Sequence, residues 1–502
     1  MLPALLLSWY DAHGRVLPFR GTKDPYKIWV SEIMLQQTRT ETVGAYYRRF
    51  LARFPDVFSL AQAQEEDVLK CWEGLGYYSR ARNLHKAAKV IAGQYNGSFP
   101  ADLVALRALP GVGAYTAAAV ASIAFDLPAP AMDGNLTRVL SRVHGVREDV
   151  GAPSVQRRLL ALAQEDMPPA RCGDFNQALM DLGATVCVPG TPDCPACPLK
   201  PLCNAYAAGD ADSLPVKAAA KPPREIALGV ALITCRGKIW MTQRQEALLK
   251  NLWVYQLTEG YTAPADAEKA LGALGIRAAF RETLGSARHV FTHRVWNMTL
   301  LHYEAESTAC RAGRFVTLGE MEALPLPTAM RAAKAQATAL LTPVIAPAGE
   351  ETLASLAAVY AESWRASHAA VCAPEFLARH TPARMEETLR AHLSQGRQVY
   401  ALSLRGRMAG MLTLDKGQNE LTALYIHPDY QGQGLGTAAV KFAVDALDKA
   451  RPMRVTVLSD NKRALGLYAA FGFTETAQVR TLNAATGLTE QDMLRRPETR
   501  EE

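Results

Sequence analysis

The 502-residue sequence has no run of 18 apolar residues, few cysteines and no internal repeat. Without such a run, no membrane-spanning helix and no membrane partner are predicted. Nine cysteines are too few for a disulfide scaffold of this length, and because four of them cluster, a metal site in a reducing compartment is the better interpretation. The apolar start, Met1–Leu7, is too short for a signal sequence, so we expect an amphipathic helix there and a cytoplasmic protein.

The composition, 49% hydrophobic and 21% charged, is typical of a soluble globular protein, and the length predicts about three domains. A net charge of +6 suits a polyanion partner without establishing one. Apolar residues recur at helical spacing up to about residue 206. A linker of small and polar residues with prolines follows at 207–224.

The pattern then changes to strands, which define a second domain at 225–343. We expect paired strands around Cys235–Gly237 and shorter strands near Trp253 and Trp296. Prolines indicate a break at 342–350. Helices and strands alternate in a third domain, 349–495, and a charged tail ends the chain.

One stretch, Leu109–Asn135, contains a glycine-rich turn, an apolar helical run and then two prolines. The turn glycines let backbone N–H groups approach a phosphate, and the following helix N-terminus favours negative charge. Asp133 follows 22 residues after Gly111. That distance is long enough for one helix and a loop that brings the chain back to the turn. The turn therefore predicts a phosphate clamp, and its expected contact residues are Leu109, Gly111, Val112 and Gly113.

A second stretch, WVSEIMLQQT, places Glu32 among apolar neighbours, directly after Ser31, which we expect to cap a helix. A carboxyl group in such surroundings has a raised pKa and can act as a general acid near neutral pH. A glutamate near a helix start is also explained by simple charge–dipole pairing.

Both stretches, together with GLGYYSRARNL at 74–84, resemble the MutY-type adenine DNA glycosylases of the helix-hairpin-helix superfamily. The resemblance implies an all-α glycosylase domain at 1–206 that acts on double-stranded DNA with A·8-oxoguanine or A·G mispairs. It implies that Glu32 protonates the flipped adenine, that an ionised Asp133 stabilises the sugar cation, and that Asn135 orients the site.

By the same resemblance, Gln37 and Tyr77 fill the space that the flipped base leaves, and Arg20 contacts the adenine. Endonuclease III, which the sequence also resembles, carries at the position of Tyr115 a lysine that forms an imine with the sugar. A phenol cannot form an imine. We therefore expect a glycosylase without efficient strand cleavage, with Tyr115 shaping the sugar pocket.

Four cysteines in a proline-rich segment have the spacing C-x6-C-x2-C-x5-C. The residue types alone fit either zinc or a 4Fe–4S cluster. The unequal spacing resembles the cluster loop of the endonuclease III superfamily, which implies a 4Fe–4S cluster. Its expected ligands are Cys187, Cys194, Cys197 and Cys203.

The middle domain resembles the Nudix-like, α+β domain of the same glycosylases. Because the REx2E signature of Nudix hydrolases is missing between Glu259 and Arg281, pyrophosphate hydrolysis is not expected. The resemblance implies instead that Phe291, Thr292 and His293 form a loop that probes 8-oxoguanine opposite the adenine.

The third domain resembles the α/β GNAT-type N-acetyltransferases, in its QGQGLG loop and in later SDN and LYAAFGF strings. The resemblance implies that backbone N–H groups of the loop hold the pyrophosphate of acetyl-CoA and that Tyr468 protonates the leaving thiolate. Glu420 is a candidate base, although an exposed strand carboxylate is the simpler interpretation. The acceptor is not readable. The expected acetyl-CoA-binding residues are Gln431, Gly432, Gly434, Gly436 and Asn461.

The sequence therefore predicts a monomeric, nucleoid-associated, multidomain fusion of an adenine DNA glycosylase with an acetyltransferase domain. Three alternatives stay open: an endonuclease III-like glycosylase/lyase, a protein that binds lesions without cutting, and an acetyltransferase targeted to DNA. Tyr115 argues against the first and the intact pair Glu32 and Asp133 against the second.

Overall fold

The computed structural model describes residues 1–218, 222–261, 263–370, 372–483 and 488–497. Parts of the expected linker, 219–221, and of the expected tail, 498–502, lie outside the described residues. Within the described ranges, every helix is too short or too polar to cross a lipid bilayer.

The chain up to Ala208 is helical, as its spacing predicts. In α9, for example, Leu136, Val139, Leu140 and Val143 recur at helical spacing and are buried in the core. The helices are α1 (Leu2–His13), α2 (Pro25–Leu35), α3 (Thr40–Arg53), α4 (Val57–Gln62), α5 (Glu65–Cys71), α6 (Ser79–Gln94), α7 (Leu103–Ala108), α8 (Ala114–Phe125), α9 (Gly134–His144), α10 (Pro153–Glu165), α11 (Cys172–Thr185) and α12 (Asn204–Ala208).

The predicted helix-turn-helix is formed by α7, the turn 109–113 and α8. Gly111 has a φ of +74°, and an added Cβ would lie 2.5 Å from Cβ of Asn83, so the turn requires glycine there. Gly113 is the N-cap of α8 and is exposed. The side chains of Leu109 and Val112 are buried, which leaves the backbone of this turn to face outward.

The predicted capping role of Ser31 is wrong. Helix α2 begins at Pro25, and Asp24 caps it by accepting hydrogen bonds from the backbone N–H groups of Tyr26 and Lys27. Ser31 lies in the second turn and donates its hydroxyl to the carbonyl of Ile28. The apolar stretch that contains Glu32 is therefore the middle of a buried helix rather than its first turn.

The middle of the chain forms a sheet in which β1 and β6 are parallel neighbours. The short strand at Trp253 is as expected, but the strand at Trp296 spans twelve residues, because it pairs with β1 on one side and β5 on the other. The elements are β1 (Arg224–Cys235), β2 (Lys238–Gln243), β3 (Trp253–Val254), β4 (Gln256–Glu259), α13 (Pro264–Ala273), β5 (Ala278–Val290), β6 (Arg294–Ala305), β7 (Arg314–Val316), α14 (Leu318–Ala323) and α15 (Arg331–Leu341).

The last part forms a second sheet with the strand order β13-β14-β12-β11-β10-β9-β8. Its edge strand, β8, lies in the stretch 342–350, so the break expected from the prolines there contains a strand that pairs with β9. The elements are β8 (Val344–Pro347), α16 (Leu353–His368), α17 (Pro374–Ala378), α18 (Pro382–Ser394), β9 (Gln398–Leu404), β10 (Arg407–Asp415), β11 (Glu420–Ile426), α19 (Leu435–Ala446), β12 (Met453–Leu458), α20 (Lys462–Ala469), β13 (Phe473–Asn483) and β14 (Leu488–Arg495).

Strands β11 and β12 are parallel but pair only at their first residues, Glu420 with Arg454 and Leu421 with Val455. Beyond that point the two strands are not paired with each other, and the sheet opens a cleft between them. The cleft faces the glycine-rich loop that precedes α19.

Close packing of α11 on α8 gives a stability prediction. An added Cβ at Gly173 would lie 2.6 Å from Cα of Ile123 and 2.7 Å from the carbonyl oxygen of Ser122. Since both are backbone atoms, we expect Gly173→Ala to lower the free energy of unfolding by about 1–3 kcal/mol in urea denaturation followed by circular dichroism.

The matched control is Gly93→Ala in α6, where an added Cβ meets nothing within 4 Å. We expect that variant to be neutral or stabilised by up to about 1 kcal/mol. Equal stability of the two variants would contradict the packing argument.

Candidate active site

A cavity of about 850 Å³ opens on one side of the helical part. The cavity brings together side chains from α2, from the start of α8 and from the start of α9. The predicted residues that line it are Arg20, Glu32, Gln37, Tyr77, Gly111, Gly113, Tyr115, Asp133 and Asn135.

Glu32 is 6% exposed and lies in α2, a helix whose residues from Ile28 to Met34 are all buried. Tyr115 donates its hydroxyl to Oε2 of Glu32 at 2.5 Å. Burial raises the pKa of Glu32 to about 6, and the hydrogen bond from Tyr115 opposes that increase. A protonated carboxyl group is therefore available to a molecule in the cavity near neutral pH.

Asp133 is the N-cap of α9 and faces the same cavity. Its Oδ1 accepts from the backbone N–H of Leu136 at 2.7 Å, and its Oδ2 accepts from Nδ2 of Asn135 at 3.0 Å. Burial raises the pKa of Asp133, while these hydrogen bonds oppose that increase and favour the carboxylate. The two carboxyl groups thus differ in their surroundings: Glu32 accepts from one side-chain hydroxyl, whereas Asp133 accepts from a backbone N–H and a side-chain amide.

Arg20 lines the cavity with its guanidinium bound to the fully buried carboxylate of Asp181. Arg15 donates to the same carboxylate through its backbone N–H and its Nε. Two cationic side chains thus compensate for one buried negative charge. The position of Arg20 is fixed by this ion pair.

Arg138 connects Asn135 to the start of the cysteine loop, which we define as residues 187–203. Its guanidinium donates to Oδ1 of Asn135 at 2.8 Å, to the carbonyl of Gly183 at 2.6 Å and to the carbonyl of Cys187 at 2.7 Å. Asn135 in turn donates to Asp133, so the geometry of the cavity depends on the geometry of the cysteine loop.

The four cysteines of this loop line one small, apolar-walled cavity together with Arg142. Arg142 donates to Sγ of Cys187 at 3.2 Å and to the carbonyls of Val188 and Gly190. All four thiols are free. In the part of the chain that the structure describes, no three His, Cys, Asp or Glu side chains form a group that could hold a metal ion.

Gln37 and Tyr77 both have positive φ angles, 56° and 47°, and Tyr77 is 47% exposed. Buried Arg80 fixes both segments, because it donates to carbonyls at the end of α2 and to those of Leu75 and Gly76. The two residues stand between the first cavity and a second cavity of about 630 Å³.

The second cavity lies between the helical part and the first sheet, and Phe291, Thr292 and His293 line it. These three residues connect β5 to β6. Phe291 packs on Trp296 with ring centroids 4.9 Å apart, whereas Thr292 and His293 are exposed. The hydroxyls of Tyr77 and Thr292 share a hydrogen bond at 3.0 Å.

A third cavity, of about 610 Å³, occupies the cleft between β11 and β12. Burial raises the pKa of Tyr468, which lies at its wall. Glu420, the first residue of β11, is half-buried and does not line this cavity. Glu490 of β14 does line it. The other predicted residues that line this cavity are Gln431, Gly432, Gly434, Gly436 and Asn461.

Three residues of these sites were not singled out from the sequence: Arg80, Arg138 and Asp181. Each is a charged residue within a helix, and each is less than 10% exposed. A buried charge requires partners, but the helices of Arg80 and Arg138 carry other polar residues, so the sequence does not mark these two positions as buried. Several of their partners, such as Gly183 for Arg138 and Ile33 for Arg80, lie more than 40 residues away in sequence.

Comparison with known families finds three domains. The family of HhH-GPD superfamily base excision DNA repair proteins matches residues 30–165. The NUDIX domain family matches residues 229–336, and the acetyltransferase (GNAT) domain family matches residues 364–493. The fold class predicted from the sequence is thereby confirmed.

Among curated proteins, the adenine DNA glycosylase of Mus musculus is 35% identical over 390 residues, which cover 65% of this chain and 76% of that protein. The human enzyme is 34% identical over 392 residues, covering 65% and 72%. The enzyme of Buchnera aphidicola (subsp. Schizaphis graminum) is 37% identical over 253 residues, covering 50% and 73%. Glu32 and Asp133 line one cavity, and the curated relatives are matched over most of their length. This chain therefore belongs to the adenine DNA glycosylases and carries an additional GNAT acetyltransferase domain.

Proposed function

We propose that this glycosylase removes adenine from A·8-oxoguanine and A·G mispairs, with Glu32 as the acid and Asp133 as the stabilising carboxylate. The observation that carries the proposal is the buried, Tyr115-bound carboxyl group of Glu32 in a cavity that also contains Asp133. As a member of its family the protein binds DNA; the mispair and the roles of Glu32 and Asp133 are proposed here.

In the proposed mechanism, the adenine leaves the helix and enters the cavity, at a cost of a few kcal/mol for unstacking. The protonated carboxyl group of Glu32 donates its proton to the base, which makes the base a better leaving group. The resulting carboxylate then accepts a proton from the attacking water. A pKa near 6 suits both steps, because the group exchanges its proton readily near neutral pH.

Asp133 faces the sugar as positive charge develops on it. Its hydrogen bonds to Leu136 and Asn135 hold the carboxylate in place, so little reorganisation is needed during the reaction. Arg138 fixes Asn135 from behind. Gln37, Tyr77 and the backbone at Gly111 and Gly113 are the proposed contacts to the DNA around the extruded base.

The second cavity is the proposed site for the base opposite the adenine. Thr292 and His293 present a hydroxyl and an imidazole there, which suit the hydrogen-bonding edge of 8-oxoguanine, and Phe291 supplies a ring face. The hydrogen bond between Tyr77 and Thr292 links the segment that replaces the adenine to the loop that examines its partner.

The cysteine loop is the proposed site of a 4Fe–4S cluster. The donor set fits, because four free thiols line one cavity and a guanidinium donates to one of the sulfurs. Cys187, Cys194, Cys197 and Cys203 would supply the four thiolates that such a cluster takes as ligands. When bound, the cluster supplies a covalent tie among the four cysteines, and Arg138 extends that tie to Asn135.

The GNAT domain is proposed to use acetyl-CoA as its substrate, with the acceptor still to be identified. Gly434 is the N-cap of α19, which places backbone N–H groups of the loop and helix start toward the cavity. Tyr468 is the proposed proton donor to the thiolate. We propose domain limits of 1–206, 225–343 and 349–495, and a monomer that works at the nucleoid.

The role of Glu32 gives a pH prediction. A general acid must be protonated, and above a pKa of about 6 the protonated fraction of Glu32 falls tenfold for each pH unit. We expect the single-turnover rate of adenine release from an A·8-oxoguanine duplex, measured after hot alkali, to fall above pH 6. Glu32→Gln should lose about 10²–10⁴-fold in rate.

Glu41→Gln, on the exposed side of α3, is the control and should behave as the wild type. Full activity of Glu32→Gln would overturn the assignment. Strand breakage without alkali, with an adduct trapped by borohydride, would overturn the proposal that Tyr115 makes the enzyme a glycosylase only.

Tyr115 gives a second prediction. Its hydrogen bond lowers the pKa of Glu32, so Tyr115→Phe should raise that pKa further and move the falling limb of the rate profile to higher pH. The same measurements over pH 5.5–8.5 test this shift. Tyr206→Phe, an exposed tyrosine beside the cysteine loop, should leave the limb where it is. An unmoved or acid-shifted limb in Tyr115→Phe would contradict the assigned hydrogen bond.

The cysteine loop gives a third prediction. We expect iron and inorganic sulfide analysis of the purified chain to find about four of each per molecule. Cys194→Ser should lose this iron, whereas Cys310→Ser, in the middle domain, should retain it. One zinc ion per chain, without sulfide, would show a single-ion site instead.

A further inference from the structure

The acetyltransferase domain contacts the Nudix-like domain through a buried guanidinium. Arg405, in the turn between β9 and β10, is 8% exposed and donates to Oε1 of Glu304 at 2.7 Å. Glu304 lies near the end of β6, in the Nudix-like domain, and also binds Arg281. A second guanidinium nitrogen of Arg405 donates to Oε1 of Gln433. Arg405 therefore binds the Nudix-like domain through one nitrogen and its own domain through another.

Gln433 is the third residue of the loop 431–436, which we call the cofactor loop. Its side chain is held at both ends: Oε1 accepts from Arg405, and Nε2 donates to the carbonyl of Asp429 at 2.7 Å. The glycines on either side have φ angles of +77° and +87°. Since glycine has wide conformational freedom, the anchored side chain of Gln433 limits the shapes this loop can adopt.

A second contact reaches the same residue. Gly237, in the turn between β1 and β2 of the Nudix-like domain, has a φ of +73°. An added Cβ at Gly237 would lie 2.7 Å from Cα of Gln433 and 3.1 Å from its carbonyl carbon. The backbone of the Nudix-like domain is therefore pressed directly against the backbone of the cofactor loop.

We propose that the Nudix-like domain forms part of the acetyl-CoA site, with Glu304, Arg405 and Gly237 as positioning residues that hold the cofactor loop in its binding shape. The ligand class is the diphosphate of a coenzyme A thioester, and the proposal rests on the acetyl-CoA binding proposed above. The GNAT domain is then dependent on its neighbour for cofactor affinity.

The physical reason is preorganisation. Backbone N–H groups bind a diphosphate well only when they already point at it, and ordering a loop during binding costs affinity. The ion pair between Glu304 and Arg405 is shielded from solvent on the Arg405 side, so it keeps more of its strength than an exposed pair. Loss of Glu304 leaves Arg405 without its carboxylate, and Gln433 loses a fixed partner.

The test is isothermal titration of the full chain with acetyl-CoA. We expect Glu304→Gln to weaken binding by about tenfold, and Glu306→Gln, an exposed glutamate two residues further along, to leave it unchanged. Adenine release should be within twofold of the wild type in both variants, which shows that the chain is folded and that the effect is confined to the cofactor loop.

A double-variant cycle separates positioning from a general loss of stability. If Glu304 acts through Gln433, then Glu304→Gln should have little further effect in a Gln433→Ala background. Additive losses would mean that Glu304 acts by another route and would overturn the relay.

The Gly237 contact has its own matched pair. Gly237→Ala should weaken acetyl-CoA binding, because its methyl group would displace the backbone of Gln433. Gly260→Ala, in another turn of the same domain, has the same kind of strain, with a φ of +71°, but an added Cβ there meets nothing within 4 Å. Equal affinities of these two variants would overturn the proposed contact.

Failure of the two proposals can be distinguished. No acetyl-CoA binding by the wild-type chain would overturn the cofactor proposal and this inference with it. Wild-type binding that Glu304→Gln and Gly237→Ala leave unchanged would overturn only the role of the Nudix-like domain.

Discussion

Burial of one carboxyl group, that of Glu32, is the constraint on which the rest of the glycosylase site depends. A carboxyl group on a helix that is buried in the protein loses its hydration and is more easily protonated, which is the property an acid needs. The surroundings must then supply one donor without restoring full solvation. Tyr115 does this from the first turn of α8, and the glycine turn before α8 determines where that tyrosine lies. The second carboxyl group, at the N-cap of α9, is supported by backbone N–H donors instead, so one fold gives two carboxyl groups different surroundings.

Buried guanidinium groups connect parts of the chain that are far apart in sequence. Arg80 joins the end of α2 to the loop before α6, Arg138 joins the active site to the cysteine loop, and Arg405 joins two domains. A guanidinium suits this task because its five N–H donors lie in one plane and reach several acceptors at once. Lysine, with one ammonium group, would not replace these residues without losing some of the connections.

The sequence predicted the helical part, the sheet and the mixed part of the fold. It also predicted many of the residues that line the three cavities. Those residues lie in motifs with a local geometry, such as the glycine turn before α8 and the glycine-rich loop before α19. It was less successful where a longer-range contact decides the outcome. Ser31 resembles a cap, but Asp24 and Pro25 start the helix earlier. The strand at Trp296 is long because two neighbours extend it, and the prolines at 342–350 flank an edge strand, where a missing N–H is tolerated. Arg138 reaches the carbonyl of Gly183, 45 residues away, and Arg405 reaches Glu304, 101 residues away, and no local pattern reveals such partners.

Strand β6 begins beside residues 291–293, at Arg294, and reaches the contact with the acetyltransferase domain at Glu304. At about 3.3 Å for each residue, these ten steps span about 33 Å. One continuous strand, paired with β1 on one side and β5 on the other, therefore joins the loop proposed to examine the base opposite the adenine to the contact proposed to order the cofactor loop. Because both lie on the same strand, the two proposed sites keep a fixed spacing in the folded chain.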